Sequence, residues 1–410
     1  MTGLGNELEQ HEAERILESL RAGVPFAALA QKLPIGRSAL LDRVGAMLQT
    51  GRGGPLLVRA NYGEGKTHFL QAVTGSALSA GHVVSAISIS REAPLNNLGA
   101  LFKAVTTGTR TPGSQRLGLA PLLDRLQARA PEVLASLEHA GIPDRLRASI
   151  EAYFHVDMTY RHELLADLSG EFLMVGRLKA ILRDLGLDHR LPPYAFTREP
   201  IWYYRLMAEL IRQAGFAGWL ILIDELELVG KTSIGQRALA YSNLFDLAVA
   251  QELPRTVVMA AVASNFYSDV LEAKGDAEKG PGWLSQRGRE REAALAQRGI
   301  AELMRAERLP ALSSEEIHSL LATIRAVHAR AYEWDPPAED DMQRFLDRHV
   351  HGADARLRTR IRASVQWLDH WLQYGREPEI VVWHVGEVDL TEQAVVENED
   401  EGPVQRKRLF

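Results

Sequence analysis

The chain has 410 residues, is 46% hydrophobic and 24% charged, and carries a formal net charge of −6 with no cysteine. The lack of cysteine excludes disulfide frameworks, zinc ribbons, iron–sulfur ligation and thiol nucleophiles, and the composition is that of an ordinary soluble globular protein. No apolar run reaches the roughly 18 residues of a spanning helix, the polar, acidic N-terminus is unlike a signal peptide, and the mild acidity implies no whole-protein attraction to nucleic acid, so a cytoplasmic protein without a membrane partner is expected.

Residues 8–50 read as helices, because Ile16, Leu17, Leu20, Leu29, Leu33, Leu40, Leu41, Val44 and Leu48 recur at roughly helical spacing. The run Gly51 to Pro55 breaks that pattern. Leu56, Leu57 and Val58 predict a short buried strand, followed by a glycine-rich turn and a helix from about Gly65. His82 to Ser90, rich in valine and isoleucine, predicts a second strand, and a helix follows Pro94. Thr111 to Pro200 reads as almost wholly helical, cut by Pro131, Gly141, Pro143 and Pro192-Pro193. Trp219 to Ile223 and Thr256 to Ala263 are the third and fourth strands. Lys274 to Arg291, with Gly275, Gly280, Pro281 and Gly282, is expected to be a loop or a mobile segment. Ser313 to Gln373 is helical again, opened by a capping box of Ser313 and Glu316. The tail has one strand-like run, Ile380 to Trp383, then acidic and basic clusters, and its last residues are expected to be poorly ordered.

Strands alternating with helices predict an α/β fold with a parallel sheet. The expected division is an N-terminal helical segment (1–50), a strand-bearing core (51–110 and 201–312), a helical insertion (111–200), a C-terminal helical segment that closes over the core as a lid (313–377) and a C-terminal tail (378–410).

The strongest chemical signal is Ala60-Asn61-Tyr62-Gly63-Glu64-Gly65-Lys66-Thr67, continued by His68, between an apolar strand and a helix. That is the context of a P-loop. Successive backbone N–H groups and the helix N-terminus form a nest for phosphates, and Gly63 and Gly65 let the backbone approach closely. Lys66 is expected to reach the β- and γ-phosphates and Thr67 to ligate Mg²⁺. Ala60 stands where the motif has its first glycine, and it fits there only with ordinary backbone angles. The partner signal is Trp219-Leu220-Ile221-Leu222-Ile223-Asp224-Glu225, a hydrophobic strand ending in two acids, the Walker B pattern. Asp224 is expected to hold the Mg²⁺ shell and Glu225 to orient and deprotonate the attacking water. Glu227 reads as structural, and Gly230-Lys231-Thr232 as a turn, since no glycine stands five residues upstream.

After the fourth strand, Asn265 is the candidate γ-phosphate sensor and Ser264 the second, against a plain strand-end turn. No Asn-Lys-x-Asp element favours guanine, so ATP is expected. Gly36 and Arg37 lie about 24 residues ahead of the loop, where a similar Gly-Arg borders adenine in the ORC and STAND-type branches of the AAA+ superfamily. Plain helical packing and a DNA-reading helix-turn-helix over Ala27 to Val44 are the competing readings. Gly352-Ala353-Asp354-Ala355-Arg356 resembles the sensor-2 motif of ORC-like proteins, which makes Arg356 the lid arginine and Arg358 and Arg360 its alternatives, beside the reading of a solvated basic face. Arg298, Arg305 and Arg308 are candidates for an arginine acting across subunits of a homo-oligomer.

Four runs together resemble the ATP-binding proteins of the BREX bacteriophage-defence system, which are AAA+-like P-loop ATPases. They are Arg15 to Pro25 (RILESLRAGVP), Tyr62 to Leu70 (YGEGKTHFL), Ile87 to Pro94 (ISISREAP) and Leu222 to Glu227. The resemblance covers 10–270 loosely. It implies an ATPase motor or switch working beside helicases, methyltransferases or nucleases, with DNA as a further candidate partner. The residues it carries over are Lys66 and Thr67 for nucleotide and metal, and Asp224 and Glu225 for hydrolysis. A slow ATP-gated scaffold and an origin-type DNA loader are the alternatives, the loader lacking a recognisable winged helix.

Overall fold

A computed structural model describes residues 8–22, 37–51, 55–157, 159–189, 191, 200–249, 253–350 and 357–379. The strands are β1 (Leu56–Ala60), β2 (Val83–Ser88), β3 (Thr109–Arg110), β4 (Trp219–Asp224), β5 (Thr256–Ala263) and β6 (Glu307–Arg308). They form one sheet in the order β3-β2-β4-β5-β1-β6, parallel except for the short edge strand β3. This mixed α/β architecture meets the expectation of a parallel sheet wrapped by helices. β4 and β5 are buried at every position, as central parallel strands covered on both faces must be.

The two-residue alternation of each strand divides its side chains between two cores. On one face Trp219, Ile221, Ile223, Val258, Ala260 and Val262 pack in a single core with the helices that follow β2, β4 and β5. That core also takes in α5 (Ala120–Leu126), α6 (Ala130–His139), α7 (Asp144–His155) and α9 (Val175–Asp184) from the 111–200 stretch. On the other face Leu220, Leu222, Val257, Met259 and Ala261 meet α2 (Ser38–Thr50) and α3 (Lys66–Ser79).

A third core stands apart from the sheet. It joins α1 (Gln10–Ala22) to α14 (Ser314–Tyr332), α15 (Glu339–His349) and α16 (Leu357–Tyr374). The two described helices of the first 50 residues therefore part company, α1 joining the C-terminal helices and α2 the sheet. Arg21 fixes that arrangement: its Nε and Nη2 donate to Asp369 at 2.8 and 2.5 Å, and Nη2 also donates to the Tyr332 hydroxyl. The fully buried His328 donates Nε2–H to Asp369 while its Nδ1 accepts from Trp334 Nε1–H, which fixes the neutral tautomer.

The capping box at Ser313 forms as expected, with Glu316 N–H donating to Ser313 Oγ and Ser313 N–H to Glu316 Oε2. One expectation fails. Lys274 to Arg291 holds α12 (Asp276–Ser285) and the start of α13 (Glu290–Met304) rather than a loop. Gly275 opens α12 with a left-handed φ of 69°. Asp276, fully buried, takes a bidentate bond from Arg237 and one from the Tyr241 hydroxyl. That charge-assisted anchor overrides the local breakers, including Pro281 inside the helix. Among the described residues no helix is long and apolar enough to cross a membrane.

Candidate functional site

β1 ends at Ala60, and α3 starts at Lys66. Ala60 is the last strand residue, registered against Ala263, so the missing glycine costs no backbone strain. Gly63 and Gly65 take left-handed φ of 81° and 87°, where a side chain would be disfavoured. The loop is tied internally by Glu64, whose carboxylate accepts from the Asn61 N–H at 2.8 Å and from Asn61 Nδ2 at 2.6 Å. Lys66 is buried, its Nζ donating to Ala60 O at 3.2 Å and Asn61 O at 3.3 Å. Burial lowers its pKa, opposed by the nearby carboxylates of Glu227, Asp224 and Glu64.

The acidic end of β4 meets this loop. Thr67 Oγ1 donates to Asp224 Oδ2 at 2.7 Å, across 157 residues of sequence. The other Asp224 oxygen accepts from the Glu225 N–H at 2.9 Å. Glu225 holds a left-handed φ of 57° although it is not glycine, a strained geometry of the kind kept at working sites. Its side chain is exposed at the sheet end, and partial burial followed by the neighbouring Asp224 raises its pKa. Glu227 is buried and accepts from the Ala263 N–H at 2.9 Å; burial raises its pKa too, against the pull of Lys66.

Two arginines clasp the loop from outside. Arg37, at the start of α2, donates Nη1 to Gly65 O at 3.0 Å and Nη2 to Glu64 O at 2.7 Å. Burial lowers its pKa to about 10, with Glu316 and Glu64 opposing. Arg358, on the first turn of α16, donates its backbone N–H to Gly63 O at 3.1 Å. Its Nη1 donates to the Tyr62 hydroxyl at 3.0 Å, with the guanidinium 4.9 Å from that ring's centre.

A family model described as BREX system ATP-binding protein BrxC/D matches residues 8–158 and 122–376. The chain belongs to this family. Membership gives it ATP binding and a part in BREX phage defence. No curated protein matches the chain in sequence.

The other expected site residues of this BREX protein are distributed as follows. Asn61, Tyr62, Gly63, Glu64, Gly65, Lys66 and Thr67 form one loop, with His68 half-buried on the turn behind it. Ser264 lies beside the loop, its N–H donating to Ala60 O at 3.0 Å. Asn265 lies next to it, and its Nδ2 donates to Asp269 of the following turn at 3.2 Å. Gly36 and Arg356 lie outside the described residues, as do most of the helix-turn-helix reading and the strand-like tail run. Of the two alternatives to Arg356, Arg358 faces the loop, whereas Arg360 pairs with Asp347 at 3.5 Å. Gly230-Lys231-Thr232 closes a short 3-10 segment, Leu226–Lys231, in keeping with a turn. Arg298 lies 6.0 Å from the Phe245 ring, Arg305 pairs with Glu302, and Arg308 is on the edge strand β6.

Sequence reasoning passed over a cavity of about 190 Å³ that adjoins the Thr67–Asp224 pair between α3 and the ends of β2 and β4, lined by Thr67, Gln71, Ser88, Arg110 and Asp224 among others. Ser88 ends β2 directly beside Asp224 in the sheet register. The only sequence signal for it was the polar residue closing an apolar strand.

Proposed function

We propose that the chain is a P-loop ATPase of the BREX system, with ATP and Mg²⁺ held at Asn61 to Thr67 and hydrolysis driven from Asp224 and Glu225. The observation that carries this reading is the 2.7 Å bond from Thr67 Oγ1 to Asp224 Oδ2. It brings a hydroxyl at a glycine-loop helix start together with a carboxylate at the end of a buried strand, and both are hard oxygen donors suited to Mg²⁺. β5 standing between β1 and β4 supports the branch of the fold with an additional strand between its two signature strands.

In this mechanism the N–H groups around Gly65 and Lys66 bind the phosphate chain. Lys66, already desolvated, loses little more solvation when it meets the β- and γ-phosphates, and its charge is undiluted there. Bound Mg²⁺ would neutralise phosphate charge, with Thr67 as ligand and Asp224 in its shell. Glu225, its pKa raised above the ordinary carboxylate value by burial and by Asp224, accepts the proton of the attacking water as the water oxygen bonds to the γ-phosphorus and the bridging oxygen leaves with ADP. Arg358, from the lid, supplies positive charge at the loop tip, with Arg356 as its neighbour in that role. Asn265, with Ser264 as the alternative, senses the γ-phosphate from the end of β5. The output is a motor or switch acting on DNA or on a helicase or nuclease partner. A slow ATP-gated scaffold is the second reading, favoured by the lid helix being bonded directly to Gly63 O.

The test is steady-state ATP turnover and binding for the full chain alone, with double-stranded DNA and with single-stranded DNA. Lys66→Ala is expected to abolish ATP binding, and Glu225→Gln to bind ATP without splitting it. Tight binding by the first variant or unchanged turnover by the second would sink the assignment. Stimulation by DNA selects the motor, and a slow rate indifferent to DNA selects the scaffold. Sedimentation with and without ATP tests the homo-oligomer.

A further inference from the structure

The spacing of Gly36-Arg37 ahead of the loop suggests an adenine-side role, but the Arg37 guanidinium points elsewhere. Its two terminal nitrogens are taken by the carbonyls of Glu64 and Gly65. It also lies 5.9 Å from the Phe69 ring, on the inner face of α3. A side chain at Gly65 would meet Arg37 Nη1 and Leu357 Cδ2, both at 3.4 Å, so Arg37 and the lid press on the loop at the same glycine.

A peptide unit is planar and trans, so its C=O and the following N–H point in opposite directions. Pinning the Glu64 carbonyl therefore aims the Gly65 N–H the other way, and pinning the Gly65 carbonyl does the same for the Lys66 N–H. These are the N–H groups that a phosphate nest needs turned inward. Glycines at 63 and 65 give that stretch of backbone extra freedom; the Gly65 carbonyl is also held by the Phe69 N–H of α3 at 3.0 Å, so it is chiefly at the Glu64 carbonyl that the Arg37 clamp removes freedom before the ligand arrives. Arginine suits the task because its fork spans two neighbouring acceptors at once. The carboxylates of Glu64 and Glu316 support the charge of the buried guanidinium.

We infer that Arg37 is a positioning residue for triphosphate recognition: it holds the backbone of Glu64 to Lys66 in the phosphate-binding shape and does not read the adenine. This rests on the P-loop reading above. The chemical class it serves is the triphosphate itself, whatever base is attached.

The experiment compares binding of ATP, GTP and inorganic tripolyphosphate to the full-length wild type, Arg37→Ala and Arg37→Lys, alongside their melting temperatures. Arg37→Ala is expected to weaken ATP and tripolyphosphate by the same factor, about 30-fold, equivalent to about 2 kcal/mol at 1.4 kcal/mol per tenfold. The ATP-to-GTP ratio stays at the wild-type value. Arg37→Lys, whose ammonium keeps the charge but reaches only one carbonyl, remains folded and weakens ATP and tripolyphosphate equally by a smaller factor, about fivefold, and it carries the test if the alanine variant does not fold, wild-type tripolyphosphate binding in it then overturning the inference. Unchanged tripolyphosphate binding with a reduced ATP-to-GTP ratio would overturn the inference in favour of an adenine contact. A lower melting temperature with unchanged affinities would overturn it in favour of simple packing. Lys66→Ala is the separate control: tripolyphosphate binding as tight there as in wild type would remove the P-loop reading itself.

Discussion

Glu227 offers the sharpest test of how the site is held. β4 pairs with β5 only as far as Ile223 with Ala260, because the chain turns away at the strained Glu225. β5 continues to Ala263, whose N–H faces the side that β4 has vacated. The Glu227 carboxylate supplies the missing acceptor at 2.9 Å, so a side chain stands in for the next residue of the strand. Glu227→Ala orphans a buried N–H, at a cost of about 1–3 kcal/mol. A local loss of about 2 kcal/mol corresponds to roughly 30-fold faster amide exchange at that site. Glu227→Gln keeps a carbonyl that can accept the same bond, so protection is expected to stay within about threefold of wild type. Hydrogen exchange followed by mass spectrometry on peptides covering 256–266 reads both. The charge adds a second signature. Burial raises the Glu227 pKa in the folded protein, so the unfolded chain gives up this proton at lower pH and wild type loses stability as pH rises through that window. The glutamine variant escapes this loss, and its melting temperature should gain on wild type from acid toward neutral pH. Equal exchange in the alanine and glutamine variants would refute the account, because it would mean the Ala263 bond holds nothing.

Three further outcomes are expected. Burial works against ionisation of Asp369, but hydrogen bonds from Arg21 and His328 outweigh it and hold its pKa below the usual value; the stability this gives the α1–lid core is present above the unfolded pKa of about 3.9 and is lost as pH falls through the folded value. Asp369→Asn should therefore melt below wild type at pH 7 and converge with it in acid, and parallel curves would discount the pair. Gly299→Ala places a Cβ 2.2 Å from the Tyr241 carbonyl where α13 crosses α11 (Ile234–Val249); overpacking of this kind costs about 1–3 kcal/mol, and a wild-type denaturation midpoint would contradict the close approach. Tyr62→Ala removes the ring and hydroxyl that Arg358 grips, an interaction of about 0.5–1 kcal/mol for the ring alone, and should speed amide exchange in the first turn of α16 without altering the melting of the sheet core; unchanged exchange there would show that α16 does not depend on this contact.

What the sequence made legible follows the range of the forces involved. The four long strands and the Ser313 capping box were readable because each is decided by neighbours within a few residues. The loop and the acidic strand were readable as separate motifs, and their chemistry alone implied that Thr67 and Asp224 should meet. Lys274 to Arg291 was misread because Gly275, Pro281 and Gly282 speak locally for a loop, while the buried Asp276 answers to Arg237 and Tyr241 on another helix.

The same reasoning explains the family run RILESLRAGVP. Its apolar positions announce a helix, but nothing local says that Arg21 closes on Asp369, 348 residues away. That bond places α1 in one core with α16, which carries Arg358. The glycine loop Asn61 to Thr67 is thus gripped from two directions, by Arg37 from α2 on the sheet side and by Arg358 from α16. A ligand that reshapes the loop must strain one grip or the other. Since α1 shares the lid's core through Arg21, movement at the Arg358 contact would be transmitted to both termini of the described chain, whereas movement at Arg37 would be absorbed by α2 against the sheet. Nucleotide-dependent changes in amide exchange confined to α1 and α14–α16, with α2 unchanged, would mark the lid as the moving part; changes confined to α2 would reverse that assignment.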